Sequence, residues 1–148
     1  MDNLSNALQL PWFLYTAVTL LGLVIGSFLN VVIFRLPQMM EQAWQRDCCE
    51  LLEQAPPDTA QFSLASPNSQ CRDCGAAIKP WHNIPLLSYA FLKGRCHQCG
   101  ASISSRYPIV ELCTALLSLA AALVFGPTLQ LFGALLLIWS LIALTGID

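Results

Sequence analysis

Hydrophobic and polar positions divide the chain into three apolar blocks and one polar insertion. Trp12 to Phe34 carries no charged side chain and is mostly apolar. It exceeds the roughly 20 residues that a helix needs to cross the hydrocarbon core of a bilayer. A transmembrane helix is therefore expected over 11–34, with Trp12 and Tyr15 suited to one interface and Arg35 to the other. Pro37 ends this block and is tolerated in a first helical turn. Beyond it, Met40, Trp44, Cys48 and Leu51 recur at three- and four-residue spacing among Glu41, Gln45, Arg46 and Asp47. That pattern predicts a second, amphipathic helix over 38–54, lying on the membrane face or on the rest of the insertion. Ala55 to Ser69 is rich in Pro, Ser, Gln and Asn and reads as a loop. Apolar character returns after Arg106. A second span is expected over 107–125, a tight turn at Gly126-Pro127, and a third span over 128–147 that ends at Asp148. The expected fold class is an α-helical integral membrane protein with three transmembrane helices. Residues 35–106 form a large insertion between the first and second.

Composition agrees with that division. The 148 residues are 55% hydrophobic and only 11% charged, with a mean hydropathy of +0.57, too apolar for an ordinary soluble domain. The net charge of −2 decides little, but its placement decides more. All seven basic residues lie between Arg35 and Arg106. The positive-inside rule then puts the insertion in the cytoplasm, because Arg35 and Arg106 sit at the membrane edges where the rule counts. Residues 1–10 become a short external, periplasmic N-terminus, Gly126-Pro127 faces the same side, and Asp148 returns to the cytoplasmic side. Residues 1–10 have no basic stretch, so a cleavable signal peptide is not expected. The lipid bilayer is the expected surrounding, and no nucleic-acid partner is expected.

The insertion carries the chemistry. Two Cys-x-x-Cys pairs, Cys71/Cys74 and Cys96/Cys99, flank a spacer from Gly75 to Arg95. Four thiolates suit a tetrahedral structural Zn²⁺, and a two-residue gap lets each pair chelate from one turn. The spacer slightly exceeds the roughly 15–20 residues of the commonest four-cysteine pattern. Glycine follows each pair (Gly75, Gly100) and permits the positive-φ turn that aims backbone N–H groups at the sulfurs. Cys-x-x-Cys-Gly-Ala-x-Ile occurs at Cys71–Ile78 and again at Cys96–Ile103, as two similar knuckles around one metal require. A zinc module over 67–104 is expected. Two disulfides are the alternative, which a reducing cytosolic location opposes. His82 and His97 are possible ligands, but four cysteines already complete the site. Cys48 and Cys49 are adjacent and lack ligand spacing. Between the knuckles, Trp81, Ile84, Leu86, Leu87, Tyr89 and Phe91 could cover the zinc site or rest at the bilayer surface.

Within the spans, Gly22 and Gly26 lie four apart with Ser27 alongside, a small-residue face for a neighbouring helix. Asn30 reads either as a helix–helix hydrogen bond or as a functional group. Glu111 sits one turn inside the second span. A charge there is costly and often functional, though a helix N-terminus offsets part of the cost. Asp148, taken alone, is a polar helix end reaching water.

A resemblance sharpens this picture. GSFLNVVIFRLP (Gly26–Pro37), PNSQCRDCGAAIKPWHNIPLLSY (Pro67–Tyr89) and GRCHQCGASISSRYPIVEL (Gly94–Leu112) resemble the N-terminal half of the type IV prepilin peptidases, over about Gly22 to Asp148. The resemblance implies a bifunctional leader peptidase and N-methyltransferase of the bacterial inner membrane, serving pilus assembly or type II secretion. It implies zinc at Cys71, Cys74, Cys96 and Cys99, and prepilins or pseudopilins as substrates. S-adenosylmethionine is implied as methyl donor, with no site that the sequence locates. It also implies an aspartic protease with two catalytic aspartates, the first of which matches Asp148 in Thr145-Gly146-Ile147-Asp148. The family's second aspartate stands in a later Gly-x-Gly-Asp motif, which these 148 residues do not contain. Two carboxylates must share the proton work of this chemistry. The chain is therefore expected to be inactive until a missing C-terminal half supplies the second. The alternative is a non-catalytic zinc-binding membrane module that docks a partner.

Overall fold

The structure is a computed structural model and describes residues 11–55, 63–64, 66, 70–71, 73–78 and 84–147. In chain order its helices are α1 (Pro11–Leu51), α2 (Leu87–Phe91), α3 (Arg106–Phe125) and α4 (Leu129–Ile147). Three of them, α1, α3 and α4, are long and apolar enough to cross a membrane. The cysteine-bearing insertion lies between α1 and α3, as expected.

One boundary differs from the sequence expectation. A helix break at Pro37 and a separate helix over 38–54 were expected. Instead a single 41-residue helix contains Pro37 and runs on to Leu51. At 1.5 Å per residue it is about 61 Å long, against a hydrocarbon core of about 30 Å. Its second half must therefore stand clear of the hydrocarbon core. A mid-helix proline removes one N–H and frees the carbonyl four residues earlier, here that of Ile33. That carbonyl lies next to the Arg35 interface, where polar groups can reach it, so the helix need not end. The projecting half is also not laid against a core: Trp44 is 62% exposed and Leu51 85%.

The bundle is built on small residues. On α1 the buried positions are Val18, Gly22, Gly26, Leu29, Asn30 and Arg35, and the first four make a stripe at three- and four-residue spacing. On α3 they are Glu111, Thr114, Ala115, Ser118, Ala121 and Ala122. A Cβ on Gly22 would stand 2.9 Å from the Ala115 Cα, and one on Gly26 would stand 2.8 Å from the Glu111 Cα. The two backbones thus meet at both glycines, and any larger side chain would push them apart. In lipid, where apolar burial gives helices little reason to associate, such close contact is the main attraction. Pairing of Gly22 with Ala115, Gly26 with Glu111 and Asn30 with Tyr107 makes α1 and α3 antiparallel.

The third helix closes the bundle. Val18, Ala121, Ala122, Leu131 and Leu135 form an apolar cluster among α1, α3 and α4. The Trp139 indole donates to the Ser118 hydroxyl at 3.0 Å, and that hydroxyl donates to the Thr114 carbonyl at 2.7 Å. At the other end of α4, Gly146 packs onto the Ile33 side chain. Hence α4 finishes at the same end of the bundle as the insertion. The leucines on its outer side, among them Leu136, Leu137, Leu141 and Leu144, are exposed, as suits a lipid-facing surface.

Candidate metal centre and its attachment to the bundle

The two cysteine pairs fold alike. Gly75 N–H donates to the Cys71 carbonyl at 2.9 Å, and Cys71 N–H donates to the Ala76 carbonyl at 2.9 Å. Twenty-five residues later, Gly100 N–H donates to Cys96 at 3.0 Å and Cys96 N–H to Ala101 at 2.8 Å. Isolated antiparallel bridges, Gln70 with Ala77 and Arg95 with Ser102, close both turns. The glycines take the left-handed conformation expected of them, φ +70° at Gly75 and +73° at Gly100. Only glycine adopts that region without a steric penalty.

The turns bring Cys71, Cys74, Cys96 and Cys99 together, with all four sulfurs within 4.8 Å of one another. Cys71 Sγ lies 3.8 Å from Cys99 Sγ, and Cys74 Sγ lies 4.0 Å from Cys96 Sγ. Four sulfurs at about 2.3 Å from one Zn²⁺ form a tetrahedron with edges of roughly 3.8 Å. The sulfur spacing therefore fits a metal ion in the middle, and all four cysteines are free thiols. The electrostatics agree. Backbone N–H groups of Cys99 and Gln98 donate to Cys96 and hold its thiol down at about 6. The Ala101 N–H favours the Cys99 thiolate too, but the crowding sulfurs of Cys74, Cys96 and Cys71, with desolvation, push that thiol up to about 12. Four sulfurs this close need a cation before all can ionise. Among the described residues the cluster consists of cysteines alone; His97 is not part of it. His82 and Trp81 lie outside the described residues, as does Asp148.

Two polar side chains tie the insertion to the bundle and a third joins two of the spans, and the sequence marked only part of their work. Asn30 Nδ2 donates to the Tyr107 carbonyl at 3.0 Å, a helix-to-helix bond, which was one of its two readings. Arg35 does more than reach the interface. It is 7% exposed, and one guanidinium nitrogen donates to the carbonyls of Ser63 and Leu64 at 2.9 and 3.2 Å. Glu111 is 8% exposed and accepts the Leu86 N–H at 2.8 Å, with Ser27 as a second hydrogen-bonding neighbour. Leu86 has φ +57°, uncommon for a residue with a side chain. The Ser63 and Leu64 carbonyls bound by Arg35 and the Leu86 N–H bound by Glu111 are backbone groups, which leave no signature in the sequence.

Residues 20–125 match the model of the bacterial peptidase A24 N-terminal domain. The chain belongs to that family. It is 47% identical over 138 residues to the prepilin leader peptidase/N-methyltransferase of Pseudomonas putida, covering 93% of this chain and 48% of that protein. The protein of the same name from Pseudomonas aeruginosa is 53% identical over 130 residues, 87% of this chain and 45% of that one. The one from Aeromonas salmonicida is 49% identical over 148 residues, 98% and 51%. The chain thus spans about half the length of the curated relatives it matches. No solved structure matches it.

Proposed function

We propose that this chain is the zinc-bearing, N-terminal portion of a bacterial inner-membrane aspartic endopeptidase. Its substrates are the leader peptides of type IV prepilins and pseudopilins, and the new N-terminal residue is then methylated from S-adenosylmethionine. The observation that carries the reading is the match to proteins named prepilin leader peptidase/N-methyltransferase over most of the chain. In this reading Cys71, Cys74, Cys96 and Cys99 hold a structural Zn²⁺, which supplies folding energy to the insertion rather than chemistry at the scissile bond.

Asp148 is the proposed first member of the catalytic pair. It follows Ile147, and α4 ends on the same side of the bundle as the insertion. With the insertion cytoplasmic, the end of α4 lies on the side from which a leader would arrive, which supports this assignment. One aspartate activates water while a second protonates the departing amine, and a single carboxylate cannot hold both protonation states at once. The second comes from the other half of the relatives' length. Glu111 is not offered for that role, because its carboxylate is engaged by Leu86 and is buried between α1 and α3.

The test is prepilin cleavage in membranes with three proteins: this chain, this chain extended with the remaining spans of a relative, and the extended form with Asp148→Asn. Only the second is expected to cleave. Cleavage by the short chain, or by the Asp148→Asn form, would show that the paired-carboxylate reading is wrong.

A further inference from the structure

The segment between the knuckles shows an apolar face that the protein leaves open. Leu87 and Phe91 of α2 are four residues apart and so share a face; they are 56% and 83% exposed, and Ile84 beyond the helix start is 46% exposed. The other side of α2 is turned to the protein. Tyr89 is half-buried, its hydroxyl lies 3.5 Å from the Ile103 carbonyl, and its ring packs against Gly94.

The position of this face follows from its anchor. Leu86, the residue immediately before α2, is tied by its N–H to the Glu111 carboxylate. Glu111 lies five residues inside α3, about 7.5 Å along the helix from Arg106. The start of α2 is therefore held at the depth where α3 enters the membrane. A five-residue helix has no stability of its own, so this bond and the Tyr89 contact fix where it lies. Lys93 and Arg95, just after α2 in the chain, and Arg106, at the start of α3, are exposed. An apolar face with a basic margin, fixed at the edge of a membrane span, matches a bilayer interface with anionic headgroups.

We propose that residues 84–91 form a membrane foot. Glu111 latches the turn at Leu86, and Ile84, Leu87 and Phe91 enter the interfacial layer of the bilayer beside α3. Glu111 is a positioning residue for the insertion, and the foot sets the height of the zinc module above the lipid. This holds whether or not the chain processes prepilins.

The experiment is photolabelling of the full zinc-loaded chain in phosphatidylethanolamine–phosphatidylglycerol vesicles whose acyl chains carry a diazirine. Adducts are mapped by peptide mass spectrometry. Adducts are expected on 84–91 as well as on the lipid-facing leucines of α4. Leu87→Ser with Phe91→Ser should remove the first set and leave the second. Glu111→Ala should lower labelling of 84–91 by about tenfold, the factor expected for one hydrogen bond to a charged group. Glu111→Gln keeps an acceptor oxygen and should restore the labelling, and zinc content should be unchanged in both. Labelling of α4 with none on 84–91 in the unsubstituted chain would overturn the proposal without any variant, and would leave that face to a protein partner.

Discussion

Removal of the metal should unfold the knuckles and leave the helical bundle standing. Among the described residues of 70–78 and 95–103 none is buried, so the two turns have no apolar core to hold them. Their order rests on a few backbone hydrogen bonds, each worth about 0.5–1.5 kcal/mol net. Against these stands a structural zinc term of about 10–16 kcal/mol at neutral pH. A Zn²⁺ bound by the four cysteines would therefore decide whether the knuckles are ordered. The bundle is independent of it, because its contacts run through Gly22, Gly26, Ser118 and the Ala122 cluster, in the spans. We expect one zinc per chain by elemental analysis in reducing buffer. Chelation, or Ser at any one of Cys71, Cys74, Cys96 or Cys99, should unfold the backbone around the already exposed Lys93 and Arg95 and so let trypsin cleave there, while α3 and α4 stay intact. Cys48→Ser, Cys49→Ser and Cys113→Ser should leave zinc unchanged. A metal-free chain as resistant at Lys93 and Arg95 as the loaded one would falsify the argument.

Three further outcomes follow from the geometry. Zinc affinity should fall as pH falls, since each thiol must lose its proton to bind; below about pH 6 the Cys96 thiol is protonated too, so a competitive chelator titration should steepen there by one proton. Gly26→Val should destabilise the bundle by about 1–3 kcal/mol, the cost of overpacking, because its Cβ would meet the Glu111 backbone rather than a movable side chain; an unchanged unfolding midpoint in detergent would contradict the close approach. Reporter fusions at Ala60 and at Gly126 should report opposite sides of the membrane, and the same side for both would refute the span assignment.

Much of this was legible in the sequence, for identifiable reasons. The spans could be read because lipid imposes a length and an absence of charge. The knuckles could be read because a metal imposes residue type and spacing, and Gly75 and Gly100 sit where the backbone turns left-handed. Gly22 and Gly26 announced a helix contact, though not that α3 would be the partner. Pro37 misled because proline usually starts or stops a helix, whereas here the freed carbonyl lies near the polar edge of the membrane. Glu111 and Arg35 were visible as charges but not as anchors. Each binds the backbone of a distant loop, and the partner residues, Leu86, Ser63 and Leu64, carry no pattern that could have pointed to them. The positive φ of Leu86 had no signal either, since it is enforced by tertiary contact.

Those two charges change how the insertion relates to the bundle. Arg35 stands where the chain leaves the first span, Glu111 just after it enters the second, and both are nearly inaccessible to water. An ionisable side chain in such a place is costly, about 2.5–3.5 kcal/mol for an Arg or Asp at mid-membrane by insertion measurements. It is tolerable when its hydrogen-bonding capacity is met. Here backbone groups of the insertion meet it: carbonyls of Ser63 and Leu64 for Arg35, the Leu86 N–H for Glu111. The insertion is therefore part of the bundle's own polar satisfaction and not an appended domain. Deleting it would remove these backbone partners from both side chains, so a bundle shortened in that way should lose stability even though every span remains. The same bonds fix Ser63, Leu64 and Leu86 of the insertion relative to α1 and α3. The attachment of the insertion to the spans therefore runs through Arg35 and Glu111, whereas a metal would order only the knuckles.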